Sequence, residues 1–394
     1  MDIRDLHVID VDAHITEPPD LWTRRAPARF ADRVPRVVDV DGVPMWSFDG
    51  VLLDNRRVNL SSVIRPNGEK VPGPAFFEFE RDEIHPASSD MGARVEFLDG
   101  QGIWAQVLYP NVAGFGAQKF AEVADPELRR LCVTLYNDAM VEIQEESGDR
   151  LLPMALMPWW DAEASAEEVH RTAADGLHGV NICSDPQVRG APELWQPEWE
   201  PFWEACAEHR QSVNFHIGAS ESSMSWYGSS PWPGLDGERK LAIGSAMMYL
   251  SNARIIANLI FSGVLERYPA VNFVSVESGI GWIPFFLESL DYQMYESSPS
   301  VVEALSMLPS EYFRRQVYGC FWFEHRMLGP VIDALGASQV LFETDFPHPT
   351  CLYPDPLGQI AELGARLGPE VMRKVLQDNA AELYKVPLPG ERPR

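Results

Sequence analysis

The sequence predicts an α/β fold, a (β/α)₈ TIM barrel, on three observations. Eight compact apolar runs read as strands: His7–Asp12, Ala105–Tyr109, Leu152–Met157, Gly179–Cys183, Ser212–His216, Val271–Glu277, Gln316–Gly319 and Val340–Glu343. Amphipathic segments lie between them, among others Asp125–Ser147, Ala162–Asp175, Trp199–His209 and Ser245–Arg267. Ionisable residues recur at the C-terminal ends of the strands, where barrel active sites assemble. Runs apolar on both faces are what a parallel sheet under crossover helices needs. An open doubly wound sheet competes, but Gly114-Phe115-Gly116 and Gly279-Ile280-Gly281 both lack the third glycine of a dinucleotide-binding turn.

At 394 residues the chain exceeds the ~250 of a plain barrel, and long loops absorb the difference. A single domain over 1–394 is expected, with a β-rich insertion at 36–75 where valines alternate with Asp-Gly and Asn-Gly turns. An active-site loop is expected at 218–240, rich in Gly, Ser and Trp and directly after the fifth strand. Trp226, Tyr227 and Trp232 are its candidate substrate-pocket walls, with plain loop packing as the alternative. Hydrophobic content of 45% supplies a large core, and a net charge of −26 argues against nucleic acid or an anionic membrane as partner. A phosphate-bearing substrate would need a local basic patch, for which Arg24-Arg25, Arg56-Arg57 and Arg65 are the candidates. No apolar run approaches the ~20 residues of a membrane span, and the charged opening Met1–Asp5 is unlike a signal peptide, so a cytoplasmic protein is expected. Five cysteines without CxxC spacing read as reduced thiols, Cys183 at the end of the fourth strand included.

Strand one ends Ile9-Asp10-Val11-Asp12-Ala13-His14, and simple alternation puts Asp10, Asp12 and His14 on one face. Carboxylates on a buried face call for a compensating cation. Glu17 follows three residues on. His216 closes strand five, Glu277 strand six, and strand eight runs into Glu343-Thr344-Asp345-Phe346-Pro347-His348. A lone buried histidine is most often only hydrogen-bonded; four such strand ends together point to a metal centre. The candidate metal ligands are Asp12, His14, Glu17, His216, Glu277, Asp345 and His348, with Glu277, Asp345 and His348 also the candidate catalytic groups. No GxSxG elbow, HExxH or P-loop is present.

These motifs resemble the amidohydrolase superfamily, in the branch containing aminocarboxymuconate-semialdehyde decarboxylase and related hydrolases and hydratases. The resemblance spans nearly the whole chain and includes Ile9–His14, Phe215-His216, Ser262-Gly263-Val264 through Pro284 with Glu277–Trp282 inside it, Thr344–Pro347 and Asn379–Tyr384. It implies that Asp12 and His14 stand where the family carries a His-x-His pair, that His216 is the strand-five metal histidine and that Asp345 is the strand-eight aspartate. The chain departs in three places. Asp12 replaces the first histidine, Glu277 replaces the histidine many decarboxylases carry after strand six, and Lys70, Lys119, Lys240, Lys374 and Lys385 all lie outside the predicted strands, so no carbamylated lysine is expected.

A carboxylate-heavy set with few histidines suits Fe(II) or Mn(II) over a histidine-rich zinc site, and di-iron proteins pair about four carboxylates with two histidines. The pattern also resembles a divergent barrel group containing the non-haem di-iron monooxygenase of platensimycin and platencin biosynthesis. That resemblance implies a monooxygenase with one or two Fe ions, using O₂ on an apolar small molecule, with a coenzyme A (CoA) thioester as one form and a homodimer as the assembly. The alternative is a metal-dependent hydrolase or decarboxylase with Zn or Mn, in which Asp345 is general base and Glu277 or His348 shuttles the proton. A barrel that only binds ligands is the non-catalytic alternative.

Overall fold

The structure, a computed structural model, describes residues 3–57, 61–224 and 232–389. Among these residues there are twelve strands: β1 Val8–His14, β2 Arg36–Val40, β3 Val43–Phe48, β4 Val51–Arg57, β5 Ile103–Tyr109, β6 Leu151–Pro153, β7 Ala155–Leu156, β8 Gly179–Asn181, β9 Ser212–His216, β10 Phe273–Val276, β11 Val317–Phe321 and β12 Val340–Phe342. All pairings but those of β2–β4 are parallel, in the order β1-β5-β6 and β7-β8-β9-β10-β11-β12. β6 and β7 are one strand interrupted at Met154, whose N–H still donates to Leu108. The ring closes between β12 and β1: Asp345 N–H donates to Asp12 O, and His14 N–H to Phe346 O. Eight strand positions in a closed parallel ring make the barrel.

Burial explains the apolar runs. Every residue of β1, β9, β10 and β12 is buried. Inside the ring, Ile9, Val11, Ala105, Val107, Val274, Val276 and Leu341 pack with Leu383 and Tyr384 of the C-terminal segment. The Tyr384 hydroxyl donates to Asn214 Oδ1 at 2.8 Å and the Tyr109 hydroxyl to the same oxygen at 3.2 Å, which ties the C-terminal segment to β9 and β5. Helices cover the outside. In Pro126–Glu146 the capping Asp125 accepts the Glu127 and Leu128 N–H groups and a proline opens the first turn, as helix starts prefer. The expected helix Ser245–Arg267 is instead three, Gly237–Met248, Asn252–Phe261 and Val264–Arg267. Gly263, at φ +76°, breaks the last two apart, a conformation that glycine adopts without strain. Among the described residues no helix is long and apolar enough to cross a membrane.

β2, β3 and β4 form a separate antiparallel sheet between β1 and β5. Its turns are Asp41-Gly42 and Asp49-Gly50, both pairs at positive φ, the geometry of tight hairpins. Trp46 and Phe48 anchor it edge-on against Trp22 and Phe120.

The register of β1 corrects the alternation expected for it. Asp10 pairs with Gln106 and Ala13 with Leu108, so three residues of β1 oppose two of β5, a bulge. Asp10 therefore faces the helix Met91–Gln101, while Asp12 and His14 turn into the barrel. Its carboxylate accepts from Gln106 Nε2 at 2.6 Å, from Thr344 N–H at 2.8 Å and from the Thr344 hydroxyl at 2.5 Å. Arg94 of that helix donates to Gln106 Oε1 at 2.7 Å and to His14 O at 2.8 Å. Asp10 is thus a fully bonded brace under the site; burial pushes its pKa up to about 7.

Candidate metal centre

The C-terminal ends of β1, β9, β10 and β12 bring Asp12, His14, His216, Glu277, Asp345 and His348 together, all buried. His14 Nδ1 lies 3.3 Å from Pro110 O, and His216 Nδ1 lies 2.5 Å from Ile217 O. A carbonyl only accepts, so both Nδ1 atoms carry the proton and both Nε2 atoms present lone pairs. Those two Nε2 atoms face each other at 3.0 Å. Two lone pairs at that distance repel unless a proton or a metal ion lies between them.

The carboxylates around this pair deepen the deficit of positive charge. Asp12 Oδ1 is 3.3 Å from His216 Nε2 and 3.6 Å from His14 Nε2; Glu277 Oε2 is 3.6 Å from His216 Nε2, and Asp345 Oδ1 is 3.7 Å from His14 Nε2. Among the described residues none donates a hydrogen bond to either oxygen of Asp12 or to Oδ1 of Asp345. Buried, unbonded carboxylate oxygens are costly without a cation. Ligands at about 2.1 Å from a shared ion stand roughly 3.0–3.4 Å apart, which the His14–His216 spacing of 3.0 Å and the His216–Asp12 spacing of 3.3 Å match. Two overlapping groups have the reach to hold a metal, Asp12–His14–His216–Glu277 and His14–Asp345–His348.

Proton affinities follow from the same crowding. Burial, with His348 and His216 adding, holds the His14 imidazole well below its ordinary value, so it is neutral. Burial would lower His216 too, but Asp12 outweighs it and the net shift is upward. Burial pushes the Glu277 carboxyl well above the ordinary range, and the Asp345 and Asp12 carboxylates push it further. Glu277 and Asp345 also have positive φ, +52° and +58°. Such backbone costs on the order of 1 kcal/mol or more per residue and collects at functional sites.

Several supporting residues were not foreseen. Asn111 Nδ2 donates to Ile15 O, which fixes its Oδ1 as acceptor for His348 Nε2 at 3.0 Å. His348 Nδ1 is thereby aimed at Asp345 Oδ1, 3.1 Å away. Thr350 donates its hydroxyl to Asp345 Oδ2. Glu343, buried beneath the site, accepts the Glu277 N–H at 3.1 Å. Phe115 lies with its ring centroid 4.6 and 4.7 Å from those of His14 and His216. The Gly114-Phe115-Gly116 triplet, which carries no dinucleotide site, delivers that ring: Gly114 is at φ +82°, and a Cβ on Gly116 would lie 2.1 Å from Ala219 O.

Other expectations fall elsewhere. Glu17 stands apart from both ligand groups, its carboxylate accepting the N–H groups of Asn111 at 2.8 Å and Val112 at 3.1 Å. Trp226 and Tyr227 lie outside the described residues, and Trp232 is exposed and does not wall the cavity beside the metal site. Cys183 is buried with Sγ 3.2 Å from Asp185 Oδ1, away from that cavity. The supposed basic patch is spent on structure: Arg24 and Arg25 pair with Glu142, and Arg65 pairs with Glu83. Arg56 and Arg57 have no described side chains.

Residues 9–386 match the Amidohydrolase family. The chain belongs to the amidohydrolase family. Gamma-resorcylate decarboxylase of Rhodococcus jostii (strain RHA1) is 24% identical over 322 residues, covering 77% of this chain and 91% of that protein. An amidohydrolase from Mycobacterium avium subsp. paratuberculosis K-10 superposes with a TM-score of 0.75 at 22% identity, over 96% of this chain and 98% of its own. The 5-carboxyvanillate decarboxylase of Novosphingobium aromaticivorans, complexed with manganese, superposes at 0.65 and 17% identity, over 97% of each chain. Family and donor cluster together make this amidohydrolase a metal-dependent enzyme.

These relatives overturn the monooxygenase expectation, and with it the oxidoreductase class, and they leave the preference for iron without support. Two of the three, the gamma-resorcylate and 5-carboxyvanillate enzymes, are decarboxylases, the class expected only as the alternative. The physical reason lies in the donor set. Hard carboxylate donors suit manganese as well as iron, so ligand type alone selects no oxygen chemistry. Neither the relatives nor the cavity lining, which holds no lysine or arginine among the described residues, supports the O₂, CoA or homodimer expectations.

Proposed function

We propose that this amidohydrolase is a divalent-metal-dependent decarboxylase that releases CO₂ from a small carboxylic acid without an oxidant. The observation that carries the reading is the pair of histidine Nε2 atoms 3.0 Å apart beside unbonded carboxylate oxygens; the named decarboxylase relatives supply the reaction class. Asp12, His14, His216 and Asp345 would hold the ion, with manganese the first choice for so carboxylate-rich a set. A bound divalent ion would orient the substrate carboxylate and offset its charge.

Glu277 is left for the proton. It lines the cavity beside Asp345 and His348, and its environment favours the neutral acid. The bond from the substrate carbon to its carboxylate breaks, the electron pair stays on that carbon, and the carbon takes the Glu277 proton. CO₂ departs and Glu277 regains a proton from water. The Thr350 hydroxyl, donating to Oδ2, holds Asp345 in place, and Phe115 shields the histidine pair from water. The Asp345–His348 contact at 3.1 Å also favours a second reading, hydrolysis with Asp345 as base toward water.

Carboxyl-¹³C hydroxybenzoates incubated with manganese-loaded protein in D₂O separate the two. Decarboxylation yields one ¹³CO₂ per turnover and one deuterium on the vacated carbon. Hydrolysis of an ester or amide panel with no ¹³CO₂ from any acid would replace the first reading by the second.

A further inference from the structure

The cavity beside the metal site is small, about 130 Å³, on the scale of a single ring. Phe115, Ile217, Met224, Leu241, Met248 and Tyr249 give it an apolar wall. Outside lies an open cleft of about 720 Å³, formed by Pro74, Phe77 and residues Asp236 to Leu241. Among the described residues Leu241 alone lines both. It sits half-buried in the helix Gly237–Met248.

The two compartments differ in chemistry. Among the described residues the ionisable groups lining the inner one are Glu277, Asp345, His348 and the Tyr249 phenol, with no lysine or arginine. A second anionic group on a substrate would meet like charge and no partner there. The outer cleft carries Asp236, Glu238, Arg239 and Lys240 together with the exposed ring of Phe77. Arg239 is paired to Asp236. Such a surface can take a polar or charged distal group that the inner room cannot.

We propose that Leu241 is the partition between the two compartments and sets the length of substrate accepted. The reacting carboxylate and the ring or short chain bearing it fit inside. A longer substituent passes Leu241 and ends in the cleft against Phe77. Which end enters first rests on the decarboxylase reading; the partition itself does not.

The test is equilibrium binding by calorimetry to the manganese-loaded protein, with 4-alkylbenzoates and, separately, uncharged 4-alkylphenols from methyl to hexyl. Each methylene that finds apolar cover tightens binding about fourfold, so affinity climbs with length until the chain meets Leu241, then levels. In Leu241→Ala the break moves to longer chains, and in Leu241→Phe to shorter ones. Phe77→Ala weakens only the members that pass the break. Unchanged manganese affinity certifies that each variant is folded. A break at the same length in all variants overturns the partition. Phenols that keep a Leu241-dependent break while benzoates fail to bind would uphold the partition and sink the decarboxylase reading. Benzoates that bind with an immovable break would do the reverse, and binding of neither series overturns both.

Discussion

Asp12→Asn should act in opposite directions on the metal-free and metal-loaded protein. Asn keeps the shape of Asp and removes the charge. In the loaded protein the substitution deletes an anionic ligand from a fully buried site. Breaking one partner of a buried charge pair costs about 3–5 kcal/mol, so manganese affinity should fall on the order of 10²- to 10⁴-fold. In the metal-free protein the same carboxylate has both oxygens unbonded, and removing its charge relieves that burden. The melting temperature without metal should therefore hold or rise. With free manganese at 100 times Kd the wild type gains about 2.7 kcal/mol. At about 2.1 cal/mol/K of unfolding entropy per residue and 394 residues, that is a rise of about 3 °C, which the variant should lose at the same metal concentration. A chromophoric chelator competition gives the affinity and calorimetry the melts. An Asp12→Asn protein that melts lower without metal, yet binds manganese as the wild type does, would refute the metal-ligand assignment and make Asp12 a structural residue.

Three further outcomes are expected. Glu277→Gln should keep manganese affinity within about tenfold while turnover falls by about 10²- to 10⁴-fold; loss of the metal instead would make Glu277 a ligand. Glu324, which accepts the Ile280 and Gly281 N–H groups, has its pKa pushed by burial up to about 7. A folded value above the unfolded one means that its contribution is full below about pH 4.5 and is lost as pH rises through about 7. Melts of metal-free protein between about pH 5 and 8 should decline, with a shallower slope in Glu324→Gln; equal slopes contradict this. Gly116→Ala places a Cβ 2.1 Å from the Ala219 carbonyl. The forced backbone shift should cost about 1–3 kcal/mol and lower the melting temperature by about 1–4 °C, with weaker ligand binding as Phe115 is displaced.

The barrel was legible because strands covered on both faces are mostly apolar, and β1, β9, β10 and β12 are buried along their whole length. Asp12, His14, His216, Glu277, Asp345 and His348 were legible because charged residues at the ends of such runs have few structural uses. What escaped depends on geometry that no local pattern carries. The extra residue in β1 that turns Asp10 outward shows only in its register with β5. Glu17 binds backbone N–H groups 94 and 95 positions away, and proximity in sequence to His14 suggested a ligand instead. Asn111 and Phe115 follow β5 and carry no charge to mark them, although the glycines flanking Phe115 were a usable sign of close packing. The reaction escaped for a different reason. Donor types constrain the hardness of the ion, and several hard ions with different chemistries satisfy the same set.

Anaerobic turnover tests the central claim most directly. Protein stripped by a chelator and then reconstituted with manganese should release CO₂ from at least one member of a hydroxybenzoate panel in the strict absence of O₂, while the stripped protein releases none. Equal CO₂ release with and without metal, or release only when O₂ is admitted, would contradict the account.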